Sequence, residues 1–374
     1  MASASAPGKI LWIGDYSVLE RPCAAYVTGV DKRVTVTVDN RDDSRVAISA
    51  AQFKAFFDGD YKNGSIIPRT ADESTLNATK FVRKALEVAG AFLTAKGKAF
   101  NGVSVKTQSD KEFGFGASKA GLGSSAAVTV ATVAALFAAK GLSVDNNREE
   151  IHKCSQIAHS LVQGKVGSGF DVAAACYGGC KYSRYSPELV KSLGETPSPE
   201  EISKAVEAEW DYSIEPIPMP EQFAAVIASF NGESTSTSIM VQLVNAWKAN
   251  NADEYKELIA SLDAANREAI AALAEGDMEL FREKFVEGRA LTKELGVKSG
   301  APIESDEYTR LIGGSEENGA FVAKLPGAGG GDAIAALCIS PDEAEQLREY
   351  WNENERLTVL DVSFANEGVR AETR

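Results

Sequence analysis

The chain reads as an α+β protein of two domains, and three observations predict this. Its 374 residues exceed what one domain of ~150 residues would hold. Strand-like and helix-like stretches mix in both halves rather than separating. Composition shifts near residue 186, where S-P-E-L-V-K-S-L-G-E-T-P-S-P-E-E is rich in Pro, Ser and Glu and reads as an exposed connection. The expected domains are 1–190 and 215–374.

The elements follow in order. Ile10 to Ile13, Ala24 to Val30 and Arg33 to Val38 are apolar or β-branched, and V-T-V-T-V alternates with period two, so all three are expected strands. Leu76 to Leu93 has helical spacing, with Thr75 as a cap. Gly102 to Val105 is a further strand. Ser125 to Ala139 is hydrophobic nearly all round and is expected as a central, buried helix. Its run from Ala126 to Ala139 is too short to span a bilayer. Arg148 to Gln163 places Ile151, Cys154, Ala158 and Leu161 on one helical face. The second half opens with a strand at Phe223 to Phe230. Helices are expected at Ile239 to Ala249, Ala252 to Ala274 and Met278 to Leu295. Strands at Phe321 to Leu325 and Ala333 to Ser340, a helix at Pro341 to Asn352, and a strand pair at Thr358 to Phe364 and Gly368 to Ala371 complete the chain.

Composition excludes several functions. Acidic residues number 53 and basic residues 39, a formal charge of −14. A nucleic-acid or membrane-surface binder needs a net basic face, so neither is an expected partner. An anionic small substrate needs only a local cationic pocket. The start, M-A-S-A-S-A-P-G-K, has no basic segment followed by an apolar run, so no secretory leader is expected. Five cysteines are few and odd in number, which favours a reducing cytoplasm over a disulfide framework. Cys176 and Cys180 stand in an apolar, small-residue context and read as structural. His152 and His159 are seven apart on one helix, a rise of about 10 Å. That is too far to share a metal directly, and both are expected to be structural.

Three segments concentrate glycine with small hydroxyl residues. A-S-K-A-G-L-G-S-S-A-A-V (Ala117 to Val128) runs straight into the buried helix, whose free N–H groups and partial positive charge suit a phosphate. The alternative is a loop with Ser124 as an ordinary cap. No Walker A sequence is present. Gly121, Gly123 and Ala126 fit a dinucleotide fingerprint, but no strand of the right kind precedes them and no acidic residue stands about twenty positions on, so a dehydrogenase is disfavoured. K-V-G-S-G-F-D-V (Lys165 to Val172) puts Asp171 beside a glycine-serine turn, where it reads either as catalytic or as a first-turn acid complementing a helix dipole. L-P-G-A-G-G-G-D-A (Leu325 to Ala333) packs four glycines into five positions between strands, as a ligand-facing loop does. Lys9 stands at the head of the first strand, and N-G-E-S-T-S-T-S (Asn231 to Ser238) is either a helix cap or an anion-binding loop.

Taken together and in order, A-P-G-K-I-L-W-I-G-D-Y-S-V-L-E (Ala6 to Glu20), A-G-L-G-S-S-A-A and L-P-G-A-G-G-G-D resemble the signatures of the GHMP kinase superfamily. Within it, A-H-S-L-V-Q-G-K-V-G-S-G-F-D-V-A-A-A-C-Y-G, Lys119 before the glycine-serine run, and Y-S-R-Y at Tyr182 to Tyr185 are most similar to the phosphomevalonate kinase family. Asp15 departs from the commoner residue of its motif, and no histidine stands near Tyr16 as in mevalonate kinases. The resemblance implies an N-terminal lobe like ribosomal protein S5 domain 2 and a ferredoxin-like C-terminal lobe, with ATP and substrate between them. It implies transfer of phosphate from ATP to mevalonate 5-phosphate, with Mg²⁺, by a cytoplasmic monomer or homodimer.

The resemblance also implies site residues. Lys9 and Asp171 are the expected catalytic pair. Lys119, Ala120, Gly121, Leu122, Gly123, Ser124 and Ser125 are expected to hold the nucleotide, with Ser125 also on the metal. Tyr16, Ser168, Gly169, Arg184, Ser234, Ser236, Thr237, Gly329 and Gly330 are expected around the acceptor. Mevalonate kinase, diphosphomevalonate decarboxylase and a non-catalytic nucleotide sensor remain as alternatives on this reading.

Overall fold

The structure, a computed structural model, describes residues 1–114, 121–165, 167–232 and 235–372. The chain starts with β1 (Ala2–Ile13) and β2 (Ala25–Arg41), followed by β3 (Arg45–Ala50), β4 (Ala55–Lys62) and β5 (Ser65–Thr70). Next come α1 (Glu73–Ala95), β6 (Gly102–Ser109), α2 (Ser124–Ala139), α3 (Arg148–Val162), α4 (Phe170–Tyr177) and β7 (Cys180–Ser183). The connection holds α5 (Glu188–Lys191), α6 (Pro199–Glu207) and β8 (Ser213–Pro216). The second half comprises β9 (Ala224–Phe230), α7 (Thr237–Asn250), α8 (Ala252–Glu275), α9 (Met278–Ser299), α10 (Asp306–Glu317), β10 (Val322–Lys324) and β11 (Ala333–Cys338). It ends with α11 (Pro341–Asn352), β12 (Leu357–Leu360), β13 (Phe364–Ala365) and β14 (Arg370–Glu372).

Two sheets organise these elements. The first has the order β14-β1-β2-β6-β3-β4-β5, with β13 and β7 also on β2 and β8 on β7. The second is antiparallel throughout, in the order β10-β11-β9-β12. The α+β class is as the sequence predicts. α2 is the central helix of the first lobe, packed on β1, β2, α1, α3 and α4. It can be buried on all sides because its polar groups are satisfied internally: Thr129 and Thr132 donate back to Ser125 O (2.7 Å) and Val128 O (2.6 Å). The main core crosses from one sheet to the other, with Trp12, Phe92 and Phe137 in the same cluster as Ile227, Phe281 and Leu337.

Several expectations need correction. The helix at 76–93 starts earlier, at Glu73, and its cap is Asp72, whose carboxylate accepts from Thr75 N at 2.6 Å. The stretch after residue 186 is more than a linker. Ser198 and Glu201 close a capping box on α6, and Val190, Leu193, Ile202 and Val206 are buried in the main core. The final strands do not pair with one another. β12 belongs to the second sheet, whereas β13 and β14 return to β2 and β1 of the first, so residues 364–372 leave the domain assigned to them. A glycine admits this return: a Cβ on Gly178 would lie 2.1 Å from Asn366 O. Strands β3 to β5 and helix α10 carry weaker patterns and went unassigned. In β3, buried Val46, Ile48 and Ala50 alternate with residues of small or charged type.

The segment between β1 and β2 is the seam between the lobes. Asp263 of α8 accepts from Ala24 N (2.7 Å), and Asn266 donates to Ser17 Oγ (3.0 Å). Glu20 accepts from Tyr255 Oη (2.8 Å) and pairs with Lys248. Deepest is the ion pair of Asp15 with Lys324 (2.5 Å), whose side chains are 7% and 5% exposed. Lys324 also donates to Trp12 O at 3.0 Å.

Removing one member of that pair strands the other charge in the interior. Lys324→Met should therefore lower the unfolding free energy by about 3–5 kcal/mol in denaturant titration. The double variant Asp15→Asn with Lys324→Met should recover much of the loss. A single variant within about 0.5 kcal/mol of the parent protein would contradict the assignment.

Candidate active site

The glycine-serine run meets Lys9, which lies within β1 rather than at the head of the strand, because β1 begins at Ala2. Lys9 N donates to Leu122 O (2.9 Å), and its Nζ donates to Gly121 O (2.9 Å). The ammonium also lies over the Phe170 ring at 5.4 Å. Gly123, not Ser124, is the N-cap of α2. It sits at φ +76°, and no side chain caps the helix. The N–H groups of the first turn are thus left for a ligand, with Ser124 exposed and Ser125 half-buried beside them. Gly123 is required twice over, by its left-handed backbone and by the Lys9 Cε that a Cβ would meet at 3.0 Å. Lys119 and Ala120 lie outside the described residues.

α4 supplies Asp171 in its first turn, where Oδ1 accepts from Val172 N at 2.9 Å. The preceding turn is tightly held. Tyr182 Oη donates to Ser168 O (2.8 Å), and Gln156 Nε2 donates to Gly169 O (2.8 Å). Arg184, expected on the acceptor, is 6% exposed and donates to Leu19 O (2.6 Å) and Gly167 O (3.1 Å). It braces the seam against the glycine-serine turn, and its Nε is buried and has no hydrogen-bond partner among the described residues.

The third glycine segment closes the opposite side. Tyr16 is buried and donates to Ala328 O (3.0 Å), so its hydroxyl holds the loop. Thr235 N donates to Gly330 O (3.3 Å), and Gly330 N donates to Ile303 O (2.9 Å). Gly329 and Gly330 have φ of +74° and +72° and are buried. Ser236 caps α7, accepting from Ile239 N at 3.4 Å, so the helix-cap reading holds for it. Thr237 is exposed at the helix start. Ser234 lies outside the described residues. Gly121 and Ala333 bring the first and third glycine segments together, since a Cβ on the glycine would be 3.7 Å from Ala333 Cβ.

Two residues escaped the sequence reading. His159, expected to be structural, has Nε2 3.1 Å from Ser125 Oγ and 3.8 Å from Asp171 Oδ2. His152 does behave structurally: its ring packs edge-on to Tyr177 and Tyr212, and burial pushes its pKa down to about 3. Asp332, last residue of the glycine segment, lies within electrostatic reach of Lys9. Helical periodicity could have found His159, which shares a face with Gln156. Asp332 was already inside a flagged motif.

The charges around Lys9 compete. Burial lowers its pKa, and the carboxylates of Asp171 and Asp332 oppose that shift. Burial likewise lowers the pKa of His159, against the pull of Asp171. The oxygens of Ser125 and Asp171 are hard donors of the type Mg²⁺ takes. Among the described residues no cluster of three acidic, His or Cys side chains forms a cage of its own, so a cation here would share its shell with phosphates and water. A groove of about 500 Å³ beside β14 shares no residue with this site. It mixes Arg33 and Arg370 with Asp31, Asp110 and Glu372, and so offers no single sign of charge to a phosphate.

Known proteins agree with this architecture. The GHMP kinases N terminal domain matches residues 80–179, and the GHMP kinases C terminal domain matches residues 269–356. The chain belongs to the GHMP kinase family. A phosphomevalonate kinase of Saccharolobus solfataricus is 30% identical, with 100% of both chains covered. A phosphomevalonate kinase of Gibberella zeae is 29% identical over 99% of this chain and 96% of that one. The phosphomevalonate kinase of Streptococcus pneumoniae, solved with phosphomevalonate and AMPPNP, shares the fold. Its TM-score is 0.78 at 21% identity, over 98% of this chain and 100% of that one.

Gly123 and Gly141 share φ +76°, but a Cβ on Gly141 meets nothing within 4 Å. Each alanine variant should cost about 1–2 kcal/mol of stability from the backbone alone. Only Gly123→Ala should also displace Lys9 and lower turnover. Equal turnover in the two variants would show that Lys9 is not held by this contact.

Proposed function

We infer that the protein is an ATP-dependent phosphomevalonate kinase, converting mevalonate 5-phosphate to mevalonate 5-diphosphate in isoprenoid biosynthesis. The observation that carries the residue-level reading is the convergence of Lys9, the uncapped start of α2 and Asp171 on one point. Full-length relatedness to phosphomevalonate kinases supports the choice of acceptor.

The reaction joins two anions. An oxygen of the acceptor phosphate forms a bond to the γ-phosphorus of ATP, the bond to the β,γ-bridging oxygen breaks, and ADP leaves. Catalysis of this kind is mostly positioning and charge neutralisation. The N–H groups from Gly121 to Ser125 hold the nucleotide phosphates. Lys9 places its ammonium against the transferring group, fixed by Gly121 O. Lys119 adds a second cation just before the same run. Ser125 and the nucleotide phosphates would hold Mg²⁺, which would supply charge neutralisation and a template for the two phosphates. On the acceptor side stand the Gly-Ser-Gly turn at residues 167–169 and the start of α7 at Ser236 and Thr237. Arg184 and Tyr16 act there through the backbone they hold rather than by contact.

Asp171 has little to do as a base. A phosphate monoester has its second pKa at about 6 and is already mostly dianionic at neutral pH. Asp171 instead keeps Lys9 protonated and oriented, against the burial that favours the neutral amine.

ADP release with ATP and Mg²⁺ tests the acceptor. Turnover is expected with mevalonate 5-phosphate and not with mevalonate, and turnover on mevalonate alone would reassign the substrate. Lys9→Met should cut kcat by about 10²–10³-fold. The acid limb of kcat/KM should follow the acceptor's ionisation near pH ~6, rising as the dianion forms. Asp171→Asn should lower kcat yet keep that limb. Loss of the limb would make Asp171 a general base, and near-full turnover would break its pairing with Lys9.

A further inference from the structure

Lys9, Ser125 and Asp171 suffice for the transfer as derived, yet His159 touches two of the three. It lies in the last turn of α3 and is 3% exposed. Its ring stacks on Phe81 of α1, with centroids 5.2 Å apart and planes 28° apart. Nε2 lies 3.1 Å from Ser125 Oγ, at the start of α2, and 3.8 Å from Asp171 Oδ2, at the start of α4. One nitrogen therefore faces the two helix starts that carry the candidate chemistry. His152, two turns earlier on the same helix and also buried, bonds instead to Gln156 and packs against the Tyr177 and Tyr212 rings.

We propose that His159 is a positioning residue for phosphoryl transfer, its Nε2–H holding the Ser125 hydroxyl and the Asp171 carboxylate in one geometry. The tautomer is assigned from the neighbours. With a carboxylate oxygen 3.8 Å away, an N–H dipole facing it is favoured over a lone pair. Nε2–H then donates to Ser125 Oγ. The Ser125 hydroxyl, accepting from His159, keeps its own proton to donate outward to a phosphate oxygen. Its second lone pair stays open to a cation. Without that N–H, nothing from α3 fixes which way the serine proton points, and Ser125 and Asp171 lose the nitrogen that faces both. Stacking on Phe81 keeps the ring from turning away.

The proposal rests on the kinase reading, and its test separates the two. His159→Phe retains a stacked ring and removes the N–H, whereas His159→Gln retains an N–H donor at comparable reach. His159→Phe should lower kcat about 10–100-fold, with the KM for mevalonate 5-phosphate and the melting temperature near those of the parent protein. His159→Gln should recover most of the rate. Calorimetry with ADP and Mg²⁺ should show weaker binding in His159→Phe. Ser125→Ala should cost little more in that background, because the serine proton is already misdirected. Unchanged kcat in His159→Phe, equal loss in His159→Gln, or multiplying losses with Ser125→Ala would overturn the proposal. If His159→Phe does not fold, His159→Asn decides, since its shorter amide should lose what glutamine keeps and equal rates would overturn the idea. A parent protein that releases no ADP with any acceptor would overturn the kinase reading instead, and the calorimetric comparison would still decide the role of His159.

Discussion

One ammonium group organises the cleft. In the proposed reaction Lys9 must remain charged between two anions, yet it is largely withdrawn from water, and burial alone favours its neutral form. The chain answers with a carbonyl from the glycine-serine run and with the carboxylates of Asp171 and Asp332. Lys9 comes from β1, and its partners come from the loop before α2, from α4 and from the glycine segment before β11. Each signature segment thus contributes to a single electrostatic balance. Moving any one of them changes the charge state or the aim of Lys9, which is why their order and spacing matter together more than any one does alone.

Holding such a balance requires the lobes to keep a fixed register. Consecutive residues of the seam reach across for this purpose. Asp15 pairs with Lys324, just before the glycine segment, and Tyr16 bonds to Ala328 within it. Lys324 also adjoins a glycine motif, but its ammonium is engaged by Trp12 O and Asp15. Arg184 is a similar case: a cation in the right neighbourhood whose donors hold Leu19 O and Gly167 O. Both are buried charges used to align backbone, a role in which breaking the set costs far more than the set contributes.

Much of this was legible in the sequence. Long helices with clear periodicity, such as α2, α8 and α11, lie close to where their patterns put them, because helix hydrogen bonds and side-chain spacing are local. The glycine segments marked the cleft, since a run of left-handed positions such as Gly327, Gly329, Gly330 and Gly331 has few other uses. The cap of α1 was misplaced from Asp72 to Thr75, where two adjacent polar residues offered the same signal. The short strands β3 to β5 were missed because alternation over so few residues is faint until a partner strand is known.

What the sequence determined alone was the chemistry available: a lysine beside a glycine, a glycine-serine run leading into a buried helix, an aspartate after a glycine-serine turn. Tertiary structure decided which of these groups touch. The ring of His159, 34 residues beyond Ser125, reaches it only because α3 packs along α2. The carboxylate of Asp332 approaches Lys9 only because β11 abuts the loop before α2. The last strands join the first sheet because glycine leaves room for a second backbone at Gly178. Local propensities act over a few residues and can be read along the chain. Contacts between distant residues depend on how whole elements pack, and no single segment carries that information.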